Sequence, residues 1–311
     1  MLAATAVTAA MAATAGTAFA SGDPAGADGA RAAAVAEQQA RQRAPHRAED
    51  ARGVGPLGRA AGSVETPSFS MTAVDKQSTE LYLYFPDHKG AFEDRYPVEV
   101  SFDGFADSIN VDNDKDGYSD GTWSVYKNGI LNYSWIDDNL EHHSTQVGTA
   151  WNIYTTVLSP GNLGGTQEAD LIGLDTSGDL WGYLANPDGT LGERTRIGGG
   201  WGQYTQLAGQ GDLTGDGKAD IVARDKAGVL WLYRGTGDHK APFGSRTQIG
   251  GGWNTYDRLL SVGDLDADGR ADLIARKPNG DLYRYSGTGN AGAVFRNPVK
   301  IGFGFQIYNL L

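Results

Sequence analysis

Beyond residue 70 the chain is written in short runs that alternate apolar and polar positions, among them Leu81-Tyr82-Leu83-Tyr84, Leu230-Trp231-Leu232-Tyr233 and Leu282-Tyr283-Arg284-Tyr285. Gly-rich turns separate these runs. A period of two sends successive side chains to opposite faces, so the runs predict β-strands, and helix is expected to be scarce after residue 60.

The runs also recur as a larger unit. The stretch GDLTGDGKADIVARDKAGVLWLYRGTG at 211–237 repeats as GDLDADGRADLIARKPNGDLYRYSGTG at 263–289, and older copies begin near 111 and 161. Marker aromatics Phe105, Trp151, Trp201, Trp253 and Phe305 follow one another at 46, 50, 52 and 52 residues. Each unit supplies four strand-like pieces, patterned W-x-x-Y-x-x-L, A-D-L-I-A-R, L-W-L-Y and R-x-x-I-G. A lone four-stranded sheet of this size cannot bury both faces, so a serial repeat of such sheets predicts radial stacking as propeller blades. Five markers predict an all-β, five-bladed β-propeller over residues 67–311.

The two ends of that region each carry only part of a unit. Residues 305–311 (FQIYNLL) hold a first strand, whereas residues 71–101 hold strands two, three and four. The reading therefore predicts that the C-terminal strand pairs with the segment near residues 70–74 and closes the ring, removing two open sheet edges. These repeats resemble the FG-GAP/VCBS family of exported bacterial proteins, similar in pattern to the integrin α-subunit propeller and, at five blades, to tachylectin-like lectins. The resemblance implies a calcium-bearing propeller used for surface or glycan contact.

Composition and charge narrow the rest. The net charge is −12, which disfavours a nucleic-acid backbone as partner. Residues 1–20 form an uncharged small and apolar run ending in Ala18-Phe19-Ala20, which predicts a signal peptide and a secreted, extracellular protein. No other apolar run is long enough to span a bilayer. Residues 21–66 have few large apolar side chains and read as a flexible linker or propeptide, with a short helix near 32–43 as an option. The chain has no Cys, so disulfides cannot staple an exported fold.

Metal binding is the alternative staple. Three loops read D-x-[DT]-x-D-G-x-x-D: Asp112, Asp114, Asp116 and Asp120; Asp212, Thr214, Asp216 and Asp220; Asp264, Asp266, Asp268 and Asp272. Carboxylates at alternate positions of a tight turn can converge on one Ca2+, with the carbonyls of Tyr118, Lys218 and Arg270 as further oxygens. Gly117, Gly217 and Gly269 supply the sharp turn. The equivalent loop of the third unit offers Asn162, Gly164 and Thr166 and is expected to hold no ion, although Asp170 remains.

Trp151, Trp201 and Trp253 sit at the steps between units and are candidate ligand-binding platforms for sugar, with inter-blade core as the competing role. Arg194, Arg196, Arg246 and Arg296 precede those steps. The five histidines, His46, His88, His142, His143 and His239, lack any repeated or motif-bearing setting, and no nucleophile elbow or phosphate loop occurs, so no enzymatic activity is expected. The expected function is a secreted, calcium-stabilised binding module with lectin-like recognition of cell-surface or polymeric carbohydrate. The alternative is a protein-interaction subunit of a secreted complex.

Overall fold

The computed structural model describes residues 26–38, 66–102, 104–137 and 141–311. The expected signal peptide and residues 39–65 lie outside the described residues. Twenty strands assemble into five four-stranded antiparallel sheets. The first blade contains β1 (Met71–Asp75), β2 (Glu80–Tyr84) and β3 (Tyr96–Ser101), and β20 (Tyr308–Leu310) lies beside β1. The second holds β4 (Phe105–Val111), β5 (Gly121–Tyr126), β6 (Leu131–Ile136) and β7 (His142–Gly148). The third holds β8 (Tyr154–Gly161), β9 (Asp170–Asp175), β10 (Leu180–Tyr183) and β11 (Thr195–Gly198). The fourth runs β12 (Tyr204–Ala208), β13 (Ile221–Asp225), β14 (Leu230–Tyr233), β15 (Thr247–Gly250), and the fifth β16 (Arg258–Leu260), β17 (Leu273–Arg276), β18 (Leu282–Tyr285), β19 (Val299–Gly302).

The expected five-bladed propeller and its closure are both observed. β20 pairs antiparallel with β1 in the register Ala73↔Leu310, Val74↔Asn309 and Asp75↔Tyr308. Flanking bonds from Lys76 N–H to the Ile307 carbonyl and from Leu311 N–H to the Thr72 carbonyl extend the seam. The first strands of the blades line a narrow axial space of about 80 Å³. Five apolar clusters, one per interface, make up the core.

Four of the five steps between blades are single 3-10 turns, each headed by a marker aromatic: Trp151, Trp201, Trp253 or Phe305. The backbone N–H of each aromatic donates to the carbonyl of a turn glycine in the preceding blade, Gly129, Gly178, Gly228 or Gly280 respectively. Two arginines lock the step from behind. Arg224 donates to the carbonyls of Trp253 and Tyr256, and Arg276 does the same to Phe305 and Tyr308 while pairing with Asp257 at 2.9 Å. The A-R ending of the second strand is thus an inter-blade clamp.

Within the segment expected to be a flexible linker or propeptide, with a short helix near 32–43 as an option, residues 26–38 are helical. They form one helix, α1, packed on the first and second blades, with Ala27, Asp28, Arg31 and Ala34 buried. Small residues order here because their sockets lie in the ring. Among the described residues, no helix is long and apolar enough to cross a membrane.

Candidate binding clefts and acidic loops

Four interfaces carry the same set of aromatic groups. Trp151 packs on Tyr183, Trp201 on Tyr233 and Trp253 on Tyr285, with ring centroids 4.8, 4.4 and 4.7 Å apart, and Phe305 packs on Tyr84 at 5.0 Å. Hydroxyl pairs join Tyr154 to Tyr183, Tyr204 to Tyr233 and Tyr256 to Tyr285. Burial and the paired hydroxyl together push Tyr183, Tyr233 and Tyr285 above the usual phenol range.

The tryptophans are therefore core rather than open platforms. Trp151, Trp201 and Trp253 are 5, 7 and 7 % exposed, which leaves no free ring face for a pyranose. The physical reason is the turn itself: a left-handed residue before each aromatic throws the ring inward against the next blade. Trp181 and Trp231 are also covered, because Arg194 and Arg246 lie over their rings at 4.1 and 4.0 Å. Arg95 lies over Tyr82 at 4.7 Å and donates to the Tyr308 hydroxyl at 2.9 Å. Arg196 instead holds Asp179 through two bonds, and Arg296 turns to Asp268 at 3.2 Å.

Two of the interfaces open into clefts. The fourth/fifth cleft, about 270 Å³, is lined by Gln248, Tyr285, Arg296 and one edge of Trp253. The fifth/first cleft is about twice as large, near 570 Å³, and is lined by Tyr84, Glu93, Asp94, Arg95, Phe303 and Phe305. At its mouth Phe303 is 80 % exposed. It stands where Gly199 and Gly251 occupy the corresponding turns. Phe303 is not one of the repeated aromatics, and its mark in the sequence is the break in the Gly-Gly-Gly turn.

The acidic loops divide into distinct cases. In the second blade Asp112, Asp114 and Asp120 bring carboxylate oxygens within 4.8 Å of one another, and in the fifth Asp264, Asp266 and Asp272 do the same. Burial, reinforced by neighbouring carboxylates, pushes Asp112 and Asp272 up to about 7. In the fifth-blade loop Oδ1 of Asp266 and of Asp268 is buried without a hydrogen-bond partner. Such orphaned acceptors, together with converging carboxylates, fit a hard cation. The loop also has its own positive group, since Arg284 reaches Asp266 at 3.0 Å and Asp272 at 3.9 Å.

The fourth-blade loop is arranged differently. Asp212 accepts from the amides of Thr214, Gly215 and Gly217, and Asp216 pairs with Arg234 at 2.9 Å. The expected carbonyl donors Tyr118 and Lys218 give their own amides to Asp116 and Asp216, and the Arg270 side chain reaches Asp268. The closing Asp has a second task common to three blades. Asp170, Asp220 and Asp272 each accept one amide from their own loop (Leu163, Leu213, Leu265) and one from the third-to-fourth-strand connection (Ala185, Gly235, Gly287). That role accounts for Asp170 in a loop without a carboxylate cluster.

An FG-GAP-like repeat matches residues 212–275, and an FG-GAP repeat matches residues 258–295. No curated protein matches the chain. Among solved structures it is similar to the BP39L lectin from Burkholderia pseudomallei (13 % identity, 74 % of this chain and 68 % of that one, TM-score 0.45). It is also similar to AofleA from Arthrobotrys oligospora (10 %, 78 % and 74 %, 0.39) and to the fucose-specific lectin from Aleuria aurantia (12 %, 76 % and 80 %, 0.35). At such scores these likenesses carry no functional argument. The chain is a five-bladed β-propeller in which residues 212–295, across the fourth and fifth blades, match FG-GAP repeat models.

Proposed function

We propose that this propeller is an exported binding module that takes carbohydrate of a cell surface or polymer in its inter-blade clefts. One observation carries the reading: an exposed aromatic ring, Phe303, at the rim of the larger of the two clefts, beside the carboxylates of Glu93 and Asp94 and the guanidinium of Arg95. An aromatic face suits the apolar side of a pyranose, while carboxylates and guanidinium accept from and donate to its hydroxyls. The platform role expected of the buried tryptophans passes to Phe303.

Calcium in this proposal is a staple rather than a ligand bridge. Asp112, Asp114 and Asp120 would hold one ion and Asp264, Asp266 and Asp272 a second, each neutralising a cluster that otherwise repels itself. The test of the binding reading is a glycan array probed with the wild-type chain and with Phe303→Ala. Saccharide-competable binding that falls tenfold or more in the variant is expected. Absence of any glycan binding by folded, calcium-loaded wild type would reject it in favour of the protein-interaction alternative.

A further inference from the structure

At four of the five interfaces the connection between the third and fourth strands of one blade packs on the blade before it. At the third/fourth and fourth/fifth interfaces it meets the connection between the first and second strands, and at the second/third and fifth/first interfaces it meets a side chain of the second or third strand. Gly164 lies against the Gly237 carbonyl, Gly215 against the Gly289 carbonyl, and Arg284 against Gly90. At the second/third interface, Trp123 Nε1 donates to the Gly189 carbonyl at 2.9 Å. In four blades the third-to-fourth connection is a wide loop pinned by a lone bridge: Pro86↔Phe92, Ala185↔Leu191, Gly235↔Phe243 and Gly287↔Phe295.

The first/second interface has neither partner. The first blade has no connection from β20 to β1, because these strands come from opposite ends of the ring. In the second blade β6 ends at Ile136 and β7 begins at His142, so five residues join them where the other blades have 11 to 13. The space is taken by α1. Ala27 and Ala34 pack among Val74, Leu81, Val98 and Val100 of the first blade and Phe105 and Tyr126 of the second.

Polar contacts from one helix turn reach both blades. Arg31 Nε donates to Thr72 Oγ1 of the first blade at 3.2 Å, and its Nη2 to Asn110 Oδ1 of the second at 2.9 Å. Asp28 accepts from Ser124 Oγ at 2.6 Å, from the Tyr126 hydroxyl and from Asn132 Nδ2 at 3.4 Å. At the far end Gln38 donates to Glu93 at 3.0 Å, and the Tyr96 hydroxyl donates to Glu37 at 3.1 Å. A charge buried in this way is costly unless paired, so Asp28 and Arg31, one turn apart and each satisfied by ring groups, specify a single seat.

We propose that α1 is a permanent part of the ring, a wedge the chain supplies for itself, which fills the first/second interface where both sealing loops are missing and stays seated after its covalent link to residue 66 is cut. The wedge gives the segment expected to be a discardable linker a structural reason to remain.

The test uses the full chain with a site-specific protease sequence placed near residue 50. After cutting, the fragment carrying residues 26–38 is expected to co-elute with the ring on gel filtration and to separate only under denaturing conditions. In the double variant Asp28→Ala/Arg31→Ala, the cut fragment is expected to leave, with at least a hundredfold loss in affinity. Separation of the wild-type fragment on cutting, or equal retention in both proteins, would overturn the proposal. Should the double variant not fold, hydrogen exchange on uncut wild type decides. The amides of residues 31–38 are expected to exchange as slowly as those of β1 and β5, and exchange a hundredfold faster would overturn it.

Discussion

At the scale of single residues, the repeat shows where the backbone asks for something a side chain resists. The residue before four of the five marker aromatics is left-handed, with φ of 85°, 84° and 83° at Gly200, Gly252 and Gly304. Ala150 adopts the same conformation at 61°. A Cβ in this region costs about 1–2 kcal/mol, part of which glycine would return as unfolded-chain entropy. Ala150→Gly is therefore expected to stabilise the ring by ~0.5–1 kcal/mol, read from the denaturant midpoint at constant slope; a lower midpoint would show that the strain is relieved elsewhere. Asp170 gives a second residue-level test. Burial pushes its carboxyl up to about 6 despite amide bonds from Leu163 and Ala185. A carboxyl raised on folding contributes stability that is complete below its unfolded pKa, near 3.9, and is lost as pH rises through the folded value. Between pH 4 and 6 the unfolding free energy is expected to fall more steeply with pH in wild type than in Asp170→Asn, and parallel curves would contradict this.

At the scale of elements, the acidic loops separate by what already neutralises them. In the second blade three carboxylates converge with no arginine ion pair among the described residues, whereas in the fifth Arg284 sits beside Asp266. The fourth blade has Leu232 at the position of Arg284. Arg284→Leu is thus expected to tighten calcium binding to the fifth-blade loop by about tenfold, or ~1.4 kcal/mol, in a calorimetric titration. Unchanged affinity would mean the guanidinium and the ion do not compete. Calcium at about a hundred times its dissociation constant adds about 2.7 kcal/mol for each ion and should raise Tm by ~5–10 °C per ion, reversed by chelator. A melting curve indifferent to both would remove calcium from the account. The loops were legible because glycine and carboxylates recur in register at 112–120, 212–220 and 264–272. Arg284 was not, since it lies on a strand some twenty residues from the loop it enters. Phe303 was hidden for a different reason, being a departure from the repeat rather than a copy of it.

At the scale of the whole molecule, the ring and its closing seam follow from the repeat alone, because the partial units at 71–101 and 305–311 complete one blade. The short helix that was an option near 32–43 exists over 26–38, but its seat did not follow: that comes from Thr72, Asn110, Ser124 and Tyr126, and nothing in a run of Ala and Gly announces such distant sockets. Closure also makes the proposed binding cleft. Phe303 and Phe305 come from the C-terminal end, Tyr84 and Arg95 from the first blade, and only the β20–β1 pairing brings them to one rim. Hydrogen exchange at that seam is the most direct test of the architecture on which the cleft depends. Backbone amides in the β20–β1 ladder are expected to be protected to the same degree as those of β13 and β17, exchanging only when the entire ring opens. Rapid exchange across residues 308–311, while β13 and β17 remain protected, would contradict it.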